Sequence, residues 1–294
     1  MKKLLLMLFV LPLVVAAQTP ADSTKHWTKG GIVSLNFSQV SLTNWVAGGK
    51  SSASGTAFAN LFAKYQKDRT SWENSLDLGY GILKEEDSKM IKSDDKIDFS
   101  SKYGYQATGK LYYSVLFNFR SQFTNGYKYP DRETPISKFL APGYFTLAIG
   151  MDYKPNEHFS LFFSPLTGKL TVVGDDELSD AGAFGVDPGK TARWEMGAYL
   201  KTAVKYEVVK NVTFESKFDI FSNYLDQPQN MDIHWDVMIN MKVNEYLSAN
   251  LVTNLIYDND IKIPIDKDND GVIEAAGPRI QFKELFGVGL NVKF

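Results

Sequence analysis

Five consecutive residues, Asp232-Ile233-His234-Trp235-Asp236, set one histidine between two carboxylates at spacing two. In an extended segment that spacing puts His234, Asp232 and Asp236 on one face. A carboxylate beside an imidazole can orient the ring and help it activate water. The bland reading is a histidine bonded to its acidic neighbours with no reaction to perform, and it is the favoured one. A second constellation is Asp266-Lys267-Asp268-Asn269-Asp270-Gly271. Three carboxylates on alternate residues followed by a glycine are the start of a calcium loop. The twelfth position carries Gly277 in place of the usual bidentate glutamate, and Glu274 stands at the ninth. The expected ligand set is therefore Asp266, Asp268, Asp270 and Glu274 around a structural Ca²⁺. A solvated acidic loop is the somewhat favoured reading over that site, and no cofactor is required.

The elements that must position these residues are strands. Phe286, Val288, Leu290, Val292 and Phe294 alternate with Gly287, Gly289, Asn291 and Lys293. Strict period two marks a strand with one apolar and one wet face. The pattern recurs in segments of about ten residues, the length of a membrane-spanning strand. Twelve are expected: 32–38, 53–65, 72–83, 97–107, 111–123, 144–153, 159–164 (extended by the run 170–173), 191–206, 212–220, 231–241, 247–257 and 280–294. Short and long connections alternate between them, which predicts an all-β, single antiparallel transmembrane barrel with short periplasmic turns and long extracellular loops. Trp27, Trp72, Trp194 and Trp235 are expected as interfacial anchors. Trp45, in the first long loop, is expected to pack on a neighbouring loop.

The inward face carries both signs of charge. Glu73, Asp77, Asp98, Asp219 and Asp236 stand among Lys102, Arg120, Lys201 and Lys217. A secreted sandwich would alternate too, but its inner face would exclude charge.

The N-terminus has a different character. Lys2-Lys3, the apolar run Leu4–Val15 and the small residues Val15-Ala16-Ala17 predict a signal peptide over 1–17. Residues 18–30 follow as a short periplasmic segment, and 31–294 form the barrel. The apolar run is too short to span a membrane. The chain has no cysteine, which removes disulfides and thiolate metal sites. Its net charge of −2 argues against nucleic acid as a partner.

Several segments carry a family resemblance. They are Asn36-Phe37-Ser38-Gln39, Asn44-Trp45-Val46-Ala47-Gly48-Gly49, Ser164-Pro165-Leu166-Thr167-Gly168-Lys169, Gly185-Val186-Asp187-Pro188-Gly189, Gly277-Pro278-Arg279-Ile280-Gln281-Phe282-Lys283 and Gly287–Phe294. Together the chain resembles the domain of unknown function 3078 family of Bacteroidota. The resemblance implies an outer-membrane barrel of a Gram-negative bacterium and no assigned activity. Asp232-x-His234 also resembles half of the catalytic set of omptin proteases; Asp94-Asp95 are the candidates for its other acid pair.

Three functions follow in order. The first is a narrow channel or solute-uptake barrel. The second is a non-conducting scaffold or accessory subunit of an outer-membrane complex. The third is a surface hydrolase using His234. The leading expectation is that the protein is not an enzyme. Its expected partners are outer-membrane lipids, the barrel assembly machinery acting on the strand that ends at Phe294, and, in the scaffold reading, another outer-membrane protein.

Overall fold

The computed structural model describes residues 26–42, 50–86, 88–265 and 274–294. Twelve antiparallel strands close into one barrel in chain order. They are β1 (Trp27–Val40), β2 (Ser52–Lys67), β3 (Thr70–Glu85), β4 (Ile91–Thr108), β5 (Leu111–Ser121), β6 (Gly143–Asn156), β7 (Phe159–Val172), β8 (Ala192–Val209), β9 (Val212–Asn223), β10 (Met231–Lys242), β11 (Leu247–Tyr257) and β12 (Gln281–Lys293). Five connections of two to four residues lie at one end, and the six longer ones lie at the other.

Period two sets the facing. Leu35, Leu147 and Leu290 are more than half exposed, while their neighbours Ser34, Ala148 and Asn291 are buried. The exposed outer face is apolar along β1, β5, β6 and β12. A band of that breadth is foreign to a water-facing surface and suits a hydrocarbon solvent, because the closed ladder leaves few backbone groups unpaired. Trp27 and Trp72 meet on the outside near the short turns, ring centroids 5.7 Å apart. Trp194 and Trp235 also point outward, and the Trp235 indole N–H donates to Ser216 Oγ at 3.0 Å.

Most strand ends fall within three residues of expectation, and three boundaries differ by more. β1 starts at Trp27, inside the segment expected to precede the barrel. β4 starts at Ile91 rather than residue 97, because Asp94 and Lys96 continue the inward phase of Asp98. β7 is one strand through Pro165 instead of two pieces. Its register slips there, Ile149 facing Leu166 and Met151 facing Phe163. A bulge accepts a residue with no amide hydrogen. Gly150 is needed opposite it, since a Cβ would lie 2.0 Å from the Phe163 carbonyl oxygen. The expected signal peptide, Trp45 and Asp266–Asp270 lie outside the described residues.

The ring is closed unevenly. β1 and β12 pair over six positions, Ile32–Phe37 against Val288–Lys293, with Gly31 and Phe294 exchanging backbone hydrogen bonds beyond them, whereas β2 and β3 pair over sixteen. Gly289 permits the close approach at this seam; a Cβ would meet the Leu35 carbonyl oxygen at 2.2 Å.

Two apolar clusters stabilise the interior and the loops. Leu116, Ala148, Phe162, Tyr199 and Phe221 pack together inside the lumen from β5 to β9. Ala141, Val173 and Val186, with Leu178 and Phe184, join the loop 122–142 to the loop 173–191. The second loop holds a short helix, α1 (Asp176–Asp180), whose N-cap Asp175 accepts from the Leu178 amide. Asp175 also pairs with Lys138 of the first loop.

Candidate functional site

The lumen is a stack of ion pairs, and their partners come from distant strands. Near the short turns, Lys154 on β6 reaches Glu73 on β3 at 2.8 Å. Lys102 on β4 lies 3.5 Å from Glu73 and 2.6 Å from Asp152. Asp152 is fully enclosed; the Lys102 contact is an ion pair without hydrogen-bond alignment.

At mid-height the pairs cross the barrel. Lys217 on β9 meets Asp77 on β3 at 2.5 Å. Lys96 on β4 meets Asp236 on β10 at 2.6 Å. In a ring of twelve, β3 and β9 are diametrically opposed, as are β4 and β10. Arg120 on β5 holds Asp219 on β9 at 2.6 Å and Asp98 on β4 at 3.2 Å. Partly desolvated pairs of this kind are costly to break from one side, because the abandoned charge stays inside.

Towards the long loops, Glu195, Asp232 and Asp260 bring carboxylate oxygens within 4.8 Å of one another. Such a set could hold a metal ion, but two side-chain cations already sit among these oxygens. Lys169 Nζ lies 2.6 Å from Asp232 and 3.3 Å from Glu195. Arg193 lies 2.8 Å from Asp260 and 3.5 Å from Glu195. Lys283 on β12 completes this level with Asp94 on β4 at 2.7 Å.

Two cavities border these pairs among the described residues. One of about 590 Å³ extends from the rim at Glu157 and His158 inward to Arg120, Asp219 and His234. The other, about 100 Å³, lies beside Phe58, Asp94 and Val252. Asp77, Lys217 and Asp236 line both, so the crossing ion pairs lie where the two meet.

The sequence-predicted residues are distributed through this stack. His234 does face the lumen, but its nearest carboxylate is Asp219 across the β9–β10 ladder, with Nδ1 3.4 Å from Oδ2. Asp232 is taken by Lys169 and Asp236 by Lys96. The three residues therefore share a face without forming one hydrogen-bonded set. Asp94 pairs with Lys283 and Asp95 with Lys92, 2.8 Å away. Of the calcium set, Glu274 alone is described. The ladder Ile263–Ile265 with Ala275–Gly277 brackets the remaining three positions. Sequence reasoning missed Lys96, Lys154 and Lys169 as lumen cations, having left them in connections. Their signal was the alternation itself: Lys96-x-Asp98 and Asp152-x-Lys154 keep the inward phase.

Residues 37–127 match the model of a family described as a protein of unknown function, DUF3078. The curated proteins hold no match to the chain. Among solved structures, the chain is similar to the COG4313 outer membrane channel from Pseudomonas putida F1, at 12% identity, over 93% of this chain and 100% of that one, with a TM-score of 0.41. It is also similar to the translocator domain of autotransporter NalP from Neisseria meningitidis, at 9% identity, over 90% and 88%, with a TM-score of 0.36. The P. putida toluene transporter TodX follows at 11% identity, over 92% and 78%, with a TM-score of 0.28.

Proposed function

We propose that this chain is an outer-membrane barrel with a narrow channel, closed at mid-height by ion pairs that separate when it opens. The observation that carries this reading is the crossing: Lys217–Asp77 and Lys96–Asp236 tie opposite walls together, and Asp77, Lys217 and Asp236 border both cavities. A crossing made of side-chain charges can part without breaking the backbone ladder. Packed apolar side chains have no such alternative partners, whereas separated charges can be rehydrated or bind ions. The outward apolar band and the interfacial tryptophans support the membrane setting. Short turns then lie in the periplasm and the long loops outside.

The second reading is a non-conducting scaffold, and the same crossing pairs favour it, because they tie opposite walls of the lumen together. Planar-bilayer recording separates the two. The wild-type barrel should conduct weakly or in rare openings. Asp77→Asn with Asp236→Asn, which removes both crossing carboxylates, should raise the open fraction at least tenfold. A folded double variant with no current at any voltage would leave the scaffold reading.

A further inference from the structure

We propose that the 590 Å³ cavity at the short-turn end is a binding site for a small organic anion, a phosphate or carboxylate carried on a ring or short apolar body. This deepens the channel reading by naming what the lower lumen accepts, and it rests on the barrel being oriented as described above. It does not require that the barrel conduct.

Apart from Glu157, exposed at the rim beside His158, the carboxylates that line the cavity wall are already engaged. Glu73 has Lys154 and Lys102, Asp77 has Lys217, and Glu215 has Lys205 at 2.9 Å. Asp98 and Asp219 share Arg120, and Asp236 has Lys96. The unpaired cations outnumber that one rim carboxylate. Among the described residues, Lys64, Lys201 and Lys293 border the cavity with no carboxylate within ion-pair distance.

The register explains why. Lys64 stands directly opposite Glu73 on β3, and Lys201 directly opposite Asp219 on β9. Each has lost that cross-strand partner to a cation reaching from another strand. Glu73 is held by Lys154 from β6, and Asp219 by Arg120 from β5, with His234 beside it. An unpaired ammonium facing a confined cavity costs free energy that an anion would recover. Lys201 is the more enclosed of the two and marks the inner end; Lys64 marks the mouth.

The rest of the wall sets the body of the ligand. Phe62, Phe159 and Phe162 line the same cavity, and Lys64 Nζ lies 5.9 Å from the Phe62 ring centroid. The volume falls in the range of small-molecule sites, roughly 300–1,000 Å³. Apolar walls with a few cationic groups fit an amphiphilic anion better than an inorganic ion, which would leave the phenylalanine faces wet.

The test is calorimetric titration of the purified, full barrel in nonionic detergent with phenyl phosphate. Benzyltrimethylammonium serves as the probe of opposite charge and similar ring. Phenyl phosphate should bind and benzyltrimethylammonium should not. Lys201→Gln and Lys64→Gln should each weaken phenyl phosphate about tenfold, the loss of one charge-assisted contact. Lys190→Gln, in the loop on the far side of the barrel, should leave it unchanged. Heat-modifiable gel mobility identifies folded variants, and any variant failing that check is replaced by the Lys→Met form at the same position. No binding of phenyl phosphate, equal binding of the cation, or retention of affinity in folded Lys201→Gln and Lys64→Gln barrels overturns the proposal. A barrel that binds phenyl phosphate but never conducts would overturn the channel and leave the site standing. A barrel that conducts without binding would do the reverse.

Discussion

Lys201 and Asp219 face each other across the β8–β9 ladder, yet Asp219 gives its carboxylate to Arg120, which reaches it at 2.6 Å from four strands away. Guanidinium geometry explains the choice. A planar fork can bond two acids at once, and Arg120 spans Asp219 and Asp98 together. Lys201 is left at the cavity wall with neither acid within ion-pair distance.

That competition can be reversed. Arg120→Gln frees Asp219 to accept Lys201, so the cavity should lose its inner cation and phenyl phosphate affinity should fall by about tenfold. Titration of this variant beside Lys201→Gln checks it: the two losses should be similar and should not add when combined. Full additivity would show that Lys201 stays free without Arg120.

The crossing pair between Lys217 and Asp77 should be strongly coupled. Asp77→Asn alone leaves the Lys217 ammonium with only the longer Glu215 contact at 3.5 Å and should cost about 3 kcal/mol. Lys217→Met together with Asp77→Asn removes both charges and should cost much less, since Glu215 keeps Lys205. Urea unfolding in lipid vesicles measures both. Equal losses in single and double variants would mean that the pair contributes nothing across the lumen.

Depth in the bilayer should govern the outer face. Leu147 lies mid-strand on β6 and is 54% exposed, whereas Tyr153 is near the short turn. Leu147→Arg should cost ~2–4 kcal/mol and Tyr153→Arg ~0–1 kcal/mol when unfolding is measured from lipid. Equal costs at the two depths would contradict a hydrocarbon slab centred on the strands.

The link between the two large loops should persist over the whole neutral range. The Lys138 ammonium, with the Leu178 amide, holds the Asp175 carboxyl below its usual range, and Asp175 holds Lys138 above its own. A depressed carboxylate contributes stability above its unfolded pKa of ~3.9, lost only as pH falls through the folded value. Hydrogen-exchange protection factors at Lys138, Ala141 and Gly174 should be flat from pH 8 to 5 and should drop below about pH 4. Protection already lost at pH 5.5 would remove Asp175 as the cause.

The strands and their facing were legible in the sequence because a barrel wall reads residue by residue. Phe286, Val288 and Leu290 declare their side without reference to any other strand. Short turns and long loops alternate for an equally local reason. What crosses the lumen is not local. Nothing near Lys96 in the sequence indicates Asp236, since the choice is made by reach across the ring. The inward apolar group was also hidden: Leu116 and Phe162 break the polar phase of their strands, and only the shared interior shows them packing together. The continuity of β7 through Pro165 required the bulge opposite Gly150, which a period-two pattern cannot encode.

The short seam between β1 and β12 sets an order in time. Its six pairs join the two ends of the described chain, while every other ladder joins neighbours in sequence. The entropy of bringing chain segments together grows with the length between them, so this ladder has the largest search and the fewest bonds to reward it. Eleven ladders can zip one after another into a curled sheet, and the twelfth must wait for the sheet to find its own edge. Ser34, Asn36 and Asn291, buried beside Gly287 and Gly289, make that edge polar on its inner side. The seam is where the barrel finishes becoming a ring, and the first place it would become a sheet again.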